Sequence, residues 1–252
     1  MLNQYTKTTA VLLAILGNVS SYAQSSEVTQ IPDETIAPIV TIHSLKDPYK
    51  IAYRNILKGA TALSENNSLT PKANLRWFLF SKNSVRPIGL ESATLSGSSG
   101  SVTILIDKEG RLDFPANVDN LGSDTELSLD AGRSEVELRP DVRTPGLGYA
   151  QRRLGDLRLE CEIIWRMEYE DASLLLKGAL KLMGSPCTSP KFGIEFPVKQ
   201  SLTSASIVQN GTSKELALTR RGTAFFAPLD DKKWSDEAIV ELNFAKSVPV
   251  SN

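Results

Sequence analysis

Leu90-Glu-Ser-Ala-Thr-Leu95, Ser101-Val-Thr-Ile-Leu-Ile106, Leu112-Asp-Phe-Pro115 and Asp124-Thr-Glu-Leu-Ser-Leu129 together form the stretch that decides the fold. Each piece is short, rich in β-formers and bounded by turn residues, with Ser96-Gly-Ser-Ser-Gly100 between the first two. Such runs are strands. Asp107-Lys-Glu-Gly110 sets a tight hairpin turn between Ile106 and Leu112, where Gly110 is free to take the positive φ that closes it. Pro115 stops the next strand. The same succession returns about 112 residues later, as Ser204-Ala-Ser-Ile207, Glu215-Leu-Ala-Leu218, a turn ending in Gly222, Phe225-Phe-Ala-Pro228 and Glu237-Ala-Ile-Val-Glu-Leu242.

Working outward, each copy is preceded by an expected helix. Asp47 caps and Pro48 opens the first, which carries Ile51, Ala52, Ile56, Leu57, Ala60 and Leu63 at helical spacing. The second is capped by Asp171 or Ser173, carries Leu174, Leu175, Ala179, Leu180 and Met183, and ends at Gly184-Ser-Pro186. Leu75-Arg-Trp-Phe-Leu-Phe80 reads as a further strand. So does Asp156-Leu-Arg-Leu-Glu-Cys-Glu-Ile-Ile-Trp-Arg-Met167, whose first half alternates charged and apolar residues. The expectation is an α+β fold made by internal duplication of a unit with one helix and a mainly antiparallel meander. Sandwich-like sheets are the alternative. The units are 46–138 and 156–252, joined by 139–155, in which Arg139-Pro-Asp-Val-Arg-Thr-Pro-Gly-Leu-Gly148 reads as irregular.

The N-terminus carries Lys7, the apolar run Ala10-Val-Leu-Leu-Ala-Ile-Leu-Gly17 and the small-residue site Ser21-Tyr-Ala23 before Gln24. That order is a secretory signal covering residues 1–23, with cleavage between Ala23 and Gln24. The apolar run is much shorter than the ~20 residues a membrane-spanning helix needs, and no later run is longer. Residues 24–45 form a polar N-terminal arm containing His43, the only histidine. An exported protein is expected, periplasmic or, as the alternative, extracellular, with no transmembrane segment in the mature chain. Loss of Lys7 with the leader takes the formal charge from -1 to -2. Without a basic stripe, nothing calls for nucleic acid as a partner.

Two cysteines, Cys161 and Cys187, lie in a chain bound for an oxidising compartment. Compartment and spacing favour a disulfide over free thiols. A metal site lacks partners, because there is one histidine and no Cys-x-x-Cys pair. No metal and no cofactor are expected.

Chemistry is sparse. His43 sits in the arm, where a solvated histidine is the ordinary case, and Gly97-Ser-Ser-Gly100 is too short for a nucleophile elbow. Asp113, Asp119, Asp230 and Asp231 are the carboxylates placed in turns, the last two beside Trp234 in Pro228-Leu-Asp-Asp-Lys-Lys-Trp234. Trp77 and Trp165 read as core, and Trp234, amid charges, as a candidate ligand contact. Arg152, Arg153 and Asp156 form the densest charge group. Paired arginines can clamp a carboxylate or phosphate, and their commoner use is to guard a strand edge while pairing with Asp156 and Glu160. The expected function is non-catalytic binding or accessory work in the cell envelope, with a protein or envelope component as partner, through a groove between the units. A hydrolase using paired carboxylates, with Asp230 or Asp231 as the acids, is the second reading, and a purely structural interaction protein the third.

Overall fold

A computed structural model describes residues 47–66, 68–85, 89–115, 118–175, 177–178 and 185–246, all of them within the compact unit His43–Asn252. The signal, the cleavage pair Ala23 and Gln24, the arm and His43 lie outside the described residues.

In chain order the elements are β1 (Pro48–Ala52), α1 (Tyr53–Glu65), β2 (Asn74–Ser81), β3 (Ser92–Gly97), β4 (Gly100–Leu105), β5 (Arg111–Leu112), β6 (Glu126–Gly132) and β7 (Val136–Arg143). They are followed by β8 (Gln151–Arg153), α2 (Leu154–Tyr169), β9 (Glu195–Pro197), β10 (Leu202–Gln209), β11 (Thr212–Glu215), β12 (Leu218–Thr219), β13 (Ala224–Phe226) and β14 (Ile239–Phe244). Among the described residues, helices α1 and α2 and antiparallel strands in several sheets make the class α+β, mainly β. Two four-stranded sheets run β1-β6-β3-β4 and β8-β14-β10-β11, and two three-stranded sheets run β5-β2-β7 and β12-β13-β9.

The four-stranded sheets have matching registers. Ile51 stands opposite Leu127, Leu127 opposite Leu95 and Leu95 opposite Val102. In the other sheet the row is Arg152, Val240, Ile207 and Lys214. Each helix leaves its edge strand without a side-chain cap. The amide of the first helical residue is satisfied instead by the neighbouring chain: Tyr53 N donates to Thr125 O and Leu154 N to Ala238 O, both at 2.8 Å.

Three sequence expectations need correction. Residues 48–52 are strand rather than the first turns of a helix, because Lys50, Ile51 and Ala52 pair with β6, and a proline is tolerated at the start of an edge strand. Residues 139–143 continue β7, with Pro140 opposite Trp77 on an open edge where its missing N–H does no harm. Most consequentially, 156–167 lies in helix α2, not in a strand. Leu154, Leu157 and Cys161 enter the core of the second sheet, while Leu159, Ile163 and Met167 enter the core of the first. A helix buried on two faces has apolar residues on either side of a charged stripe, which mimics strand alternation over a few residues. Of the helix expected over 173–183, residues 174, 175, 177 and 178 are helical; 176 and 179–183 lie outside the described residues.

The two helices pack closely. A Cβ built on Gly59 of α1 would stand 2.6 Å from Met167 Cγ and 3.0 Å from the Ile163 carbonyl oxygen of α2, so only glycine allows this approach. The Cys161–Cys187 disulfide fastens α2 to the segment before β9, with Cα atoms 5.6 Å apart. Gly110 takes φ +82° at the end of the expected turn and donates its N–H to Asp107 O at 2.9 Å.

Candidate functional site

The site grows from the alternation of β2 and β7. Trp77 and Leu79 of β2, with Leu138 and Val142 of β7, turn one face of this sheet into the first core. The other face carries Arg76, Phe78 and Phe80 on β2, and Glu137, Arg139, Asp141 and Arg143 on β7. A charged face of this kind would ordinarily meet water. Here residues from beyond the 144–150 connection come across it, and the halves are tied by ion pairs. Arg220 donates to Glu137 at 2.5 Å and to Glu195 at 2.6 Å. It does so from a backbone with φ +49°, followed by Arg221 at +58° and Gly222 at +85°. Two successive non-glycine residues in the left-handed region cost free energy, and the cross-tie made by Arg220 helps hold them there.

The deepest tie is between Arg152 of β8 and Glu160 of α2. Glu160 Oε1 accepts the Val142 amide at 2.6 Å and an Arg152 Nη2 hydrogen bond. Arg152 Nη2 also reaches Val142 O at 3.3 Å, and Nη1 lies 3.7 Å from Asp141, which accepts from Arg143 Nε at 2.9 Å. Burial pushes the Glu160 carboxyl up to about 7, against the opposing pull of Arg152. Burial also weighs against the charge on Arg152, but Glu160, Asp141 and Asp156 outweigh it and the guanidinium is held more firmly protonated than usual. Arg143 is lowered by burial and by Arg152 beside it. Arg152 is 6 % exposed, and its Nε has no hydrogen-bond partner among the described residues.

Between this network and β9 lies a cleft of about 360 Å3, lined from both halves of the chain. Its apolar surface includes Phe78, Tyr149 and Phe244, the last two stacked with centroids 5.2 Å apart. Lys199 Nζ sits 3.4 Å above the Phe78 ring and 3.4 Å from the exposed carboxylate of Glu109, and burial lowers its pKa. Arg76 is exposed in the lining and enters no ion pair among the described residues. A second cavity of about 530 Å3 adjoins the first, sharing Phe80, Tyr149 and Lys199 with it.

Of the residues singled out in the sequence, the structure brings Arg152 to the cleft wall. Arg153 points elsewhere: it pairs with Glu237, with Nε at 2.8 Å, and donates to Leu69 O. Asp156 is fully buried and accepts the amide and hydroxyl of Thr144, each at 2.8 Å, which pins the connection to the first turn of α2. Asp230, Asp231 and Trp234 do not line the cleft. Their loop is held on α2 by Arg158, which donates to Leu229 O at 2.9 Å and Trp234 O at 3.1 Å, and Trp234 is a core residue at 7 % exposure. Asp231 accepts the Lys233 amide at 3.0 Å, the ordinary work of an aspartate in a turn. Asp113 pairs with Arg111 two residues away. The sequence reading missed Arg76, Phe78, Tyr149 and Lys199. The one signal for them was the spacing of Arg76, Phe78 and Phe80 on the face of β2 away from Trp77.

Among the described residues no group of three His, Cys, Asp or Glu side chains is placed to hold a metal ion, and no helix is long and apolar enough to cross a membrane. No protein-family model, curated protein or solved structure matches the chain, so the cleft itself carries the functional argument.

Proposed function

We propose that the chain is an exported, non-catalytic binding or accessory protein of the periplasm or cell envelope, and that the cleft is where it holds its ligand. The observation that carries this reading is the cleft lined from both halves, walled by a buried ion-pair network whose Arg152 keeps an unused donor. The Cys161–Cys187 disulfide supports an oxidising compartment, and the leader pattern supports export with Gln24 as the mature N-terminus. N-terminal sequencing of the exported protein tests the latter directly.

The same reading includes duplication of one α+β unit. Matching strand order and register in the two four-stranded sheets, and matching amide contacts at the two helix starts, support it, while the three-stranded sheets differ in which strand is central. On this view β8 and α2 open the second unit, and the junction falls in the 144–150 connection.

Capture from the native envelope fraction by the mature protein, by a Tyr149→Ala/Arg76→Ser variant and by a Lys214→Ser control tests the binding reading. Capture lost in the cleft variant alone supports it. Capture that is equal in all three removes the cleft from the function. A carboxylate hydrolase is a second reading only with other acids than the expected Asp230 and Asp231, which do not line the cleft: Asp141 and Glu160 both lie there with Glu160 raised to about 7, although Arg152 stands against both. It requires glycan turnover that Glu160→Gln abolishes; absence of turnover by the wild-type protein ends it.

A further inference from the structure

The charges of the cleft do not cancel at close range, and the imbalance has a sign. Its acids are engaged: Asp141 takes the Arg143 hydrogen bond, Glu160 takes Arg152 and the Val142 amide, and Glu195 takes Thr219 and Arg220. Glu109 is 74 % exposed and reaches Lys199 only at 3.4 Å. Its cations are not all engaged. Arg76 has no ion pair among the described residues. Lys199 is partly withdrawn from water over an aromatic face and is engaged only by a 3.4 Å hydrogen bond to Glu109, whose carboxylate is largely in solvent. Arg152, with its side chain 7 % exposed, leaves Nε without an acceptor. A buried donor in this state gains from any acceptor that can reach it.

The walls also limit the shape of an occupant. The strand edges bordering the cleft, β7 and β9, each carry a proline, Pro140 and Pro197, so neither offers the continuous row of donors that an added peptide strand would need. What remains for contact is side-chain surface: the ring of Phe78 and the stacked pair Tyr149 and Phe244. A volume of about 360 Å3 falls at the small end of sites for compact organic ligands.

We propose that the cleft binds a small organic anion, a carboxylate or phosphate joined to an apolar body, with its charged group toward Arg76, Lys199 and Arg152 and its body against Phe78, Tyr149 and Phe244. The proposal rests on the cleft being the binding site, and it specifies the ligand chemistry. Charge-assisted hydrogen bonds in a partly dry cleft make the anion the specific element, and the rings make the body the adhesive one.

Calorimetric titration of the mature protein with 2-naphthoate, decanoate and the uncharged 2-naphthamide tests it, with an Arg76→Ser/Lys199→Gln variant alongside and melting curves to verify that the variant is folded. The expected result is saturable binding of at least one anion, weaker by tenfold or more for the variant, and naphthamide at least tenfold weaker than naphthoate if naphthoate is the anion bound. Preference between naphthoate and decanoate tells an aromatic acid from an acyl chain. Naphthamide binding as tightly as naphthoate, or anion binding unchanged in the variant, overturns the anion assignment. If neither anion binds at millimolar concentration while envelope capture still depends on Tyr149 and Arg76, the ligand class falls and the cleft stands. If capture is also independent of them, both fall.

Discussion

Ile51 and Arg152 occupy corresponding points in the two four-stranded sheets: each lies on an edge strand that leads into a helix, opposite Leu127 in one case and Val240 in the other. The first sheet uses the position for a partly buried aliphatic residue packed on its own core. The second buries a guanidinium there and turns it toward Glu160 and the cleft. The two outer edges differ in the same sense. β4 carries Val102 and Leu105 exposed at 38 % and 78 %, whereas β11 places Lys214 at the point corresponding to Val102. Two sheets of the same strand order thus carry different inner and outer surfaces. On its inner side the second half presents Arg152 and Glu160 to Val142 of β7, and that is where the cleft forms.

The largest effect is expected from breaking this asymmetry at its buried end. Arg152→Met leaves Glu160 without its guanidinium and is expected to destabilise the protein by about 3–5 kcal/mol in urea unfolding, whereas Ile51→Met at the corresponding point costs less than about 1.5 kcal/mol. Arg152→Met/Glu160→Leu recovers most of the loss, because no buried charge is then left alone. A double variant as unstable as the single one would show that the pair contributes through packing rather than charge.

Next is the staple present only in the second half. Cys161→Ala/Cys187→Ala removes a cross-link spanning 26 residues and is expected to cost on the order of 3 kcal/mol. Because Leu159, Ile163 and Met167 of the same helix belong to the first core, the loosening should spread to both cores in hydrogen exchange. Faster exchange confined to the second sheet would mean that α2 does not couple them.

The third effect is a pH slope. Glu160 faces Arg152 from β8 and Asp141, Arg143 and the Val142 amide from β7, and its folded value of about 7 exceeds the ordinary glutamate value of 4.5. A group raised on folding contributes most when protonated, so its contribution is complete below the unfolded value and is lost as pH rises through the folded one. Stability is therefore expected to fall by about 2 kcal/mol between about pH 5 and pH 7 from this group, and Glu160→Gln should flatten that slope. Glu237, held low by its hydrogen bonds from Arg153, acts in the opposite sense: its contribution is present above the ordinary value and disappears as acid is added. An unchanged slope in Glu160→Gln would place the titration elsewhere.

Much of the β-structure was legible in the sequence because it obeys local rules. The 107–110 turn and the strands around it follow from glycine, proline and alternation, and the cysteine pair follows from compartment and spacing; the later set follows in part, since Glu215-Leu-Ala-Leu218, expected as one strand, is divided between β11 and β12 of two different sheets. Helix α2 was not legible, since Asp156 and Glu160 are buried and partnered rather than wet, and charge normally marks the solvent side. β1 was disguised by Asp47-Pro48, a good helix start overridden by pairing with β6. The cleft was half legible. Arg152 stood out as part of a charge cluster, but Arg76, Tyr149 and Lys199 come together only through tertiary packing across three distant segments. Trp234 misled because it is set among charges along the chain while its ring is in the second core.

Site-specific photocrosslinking in the native host tests the central claim most directly, with p-benzoylphenylalanine placed at position 149 in the cleft and, separately, at position 214 on the far edge of the second sheet. The account predicts a defined adduct from position 149 and none from position 214. Adducts from position 214 alone, or none from position 149 in cells expressing the exported protein, would contradict it.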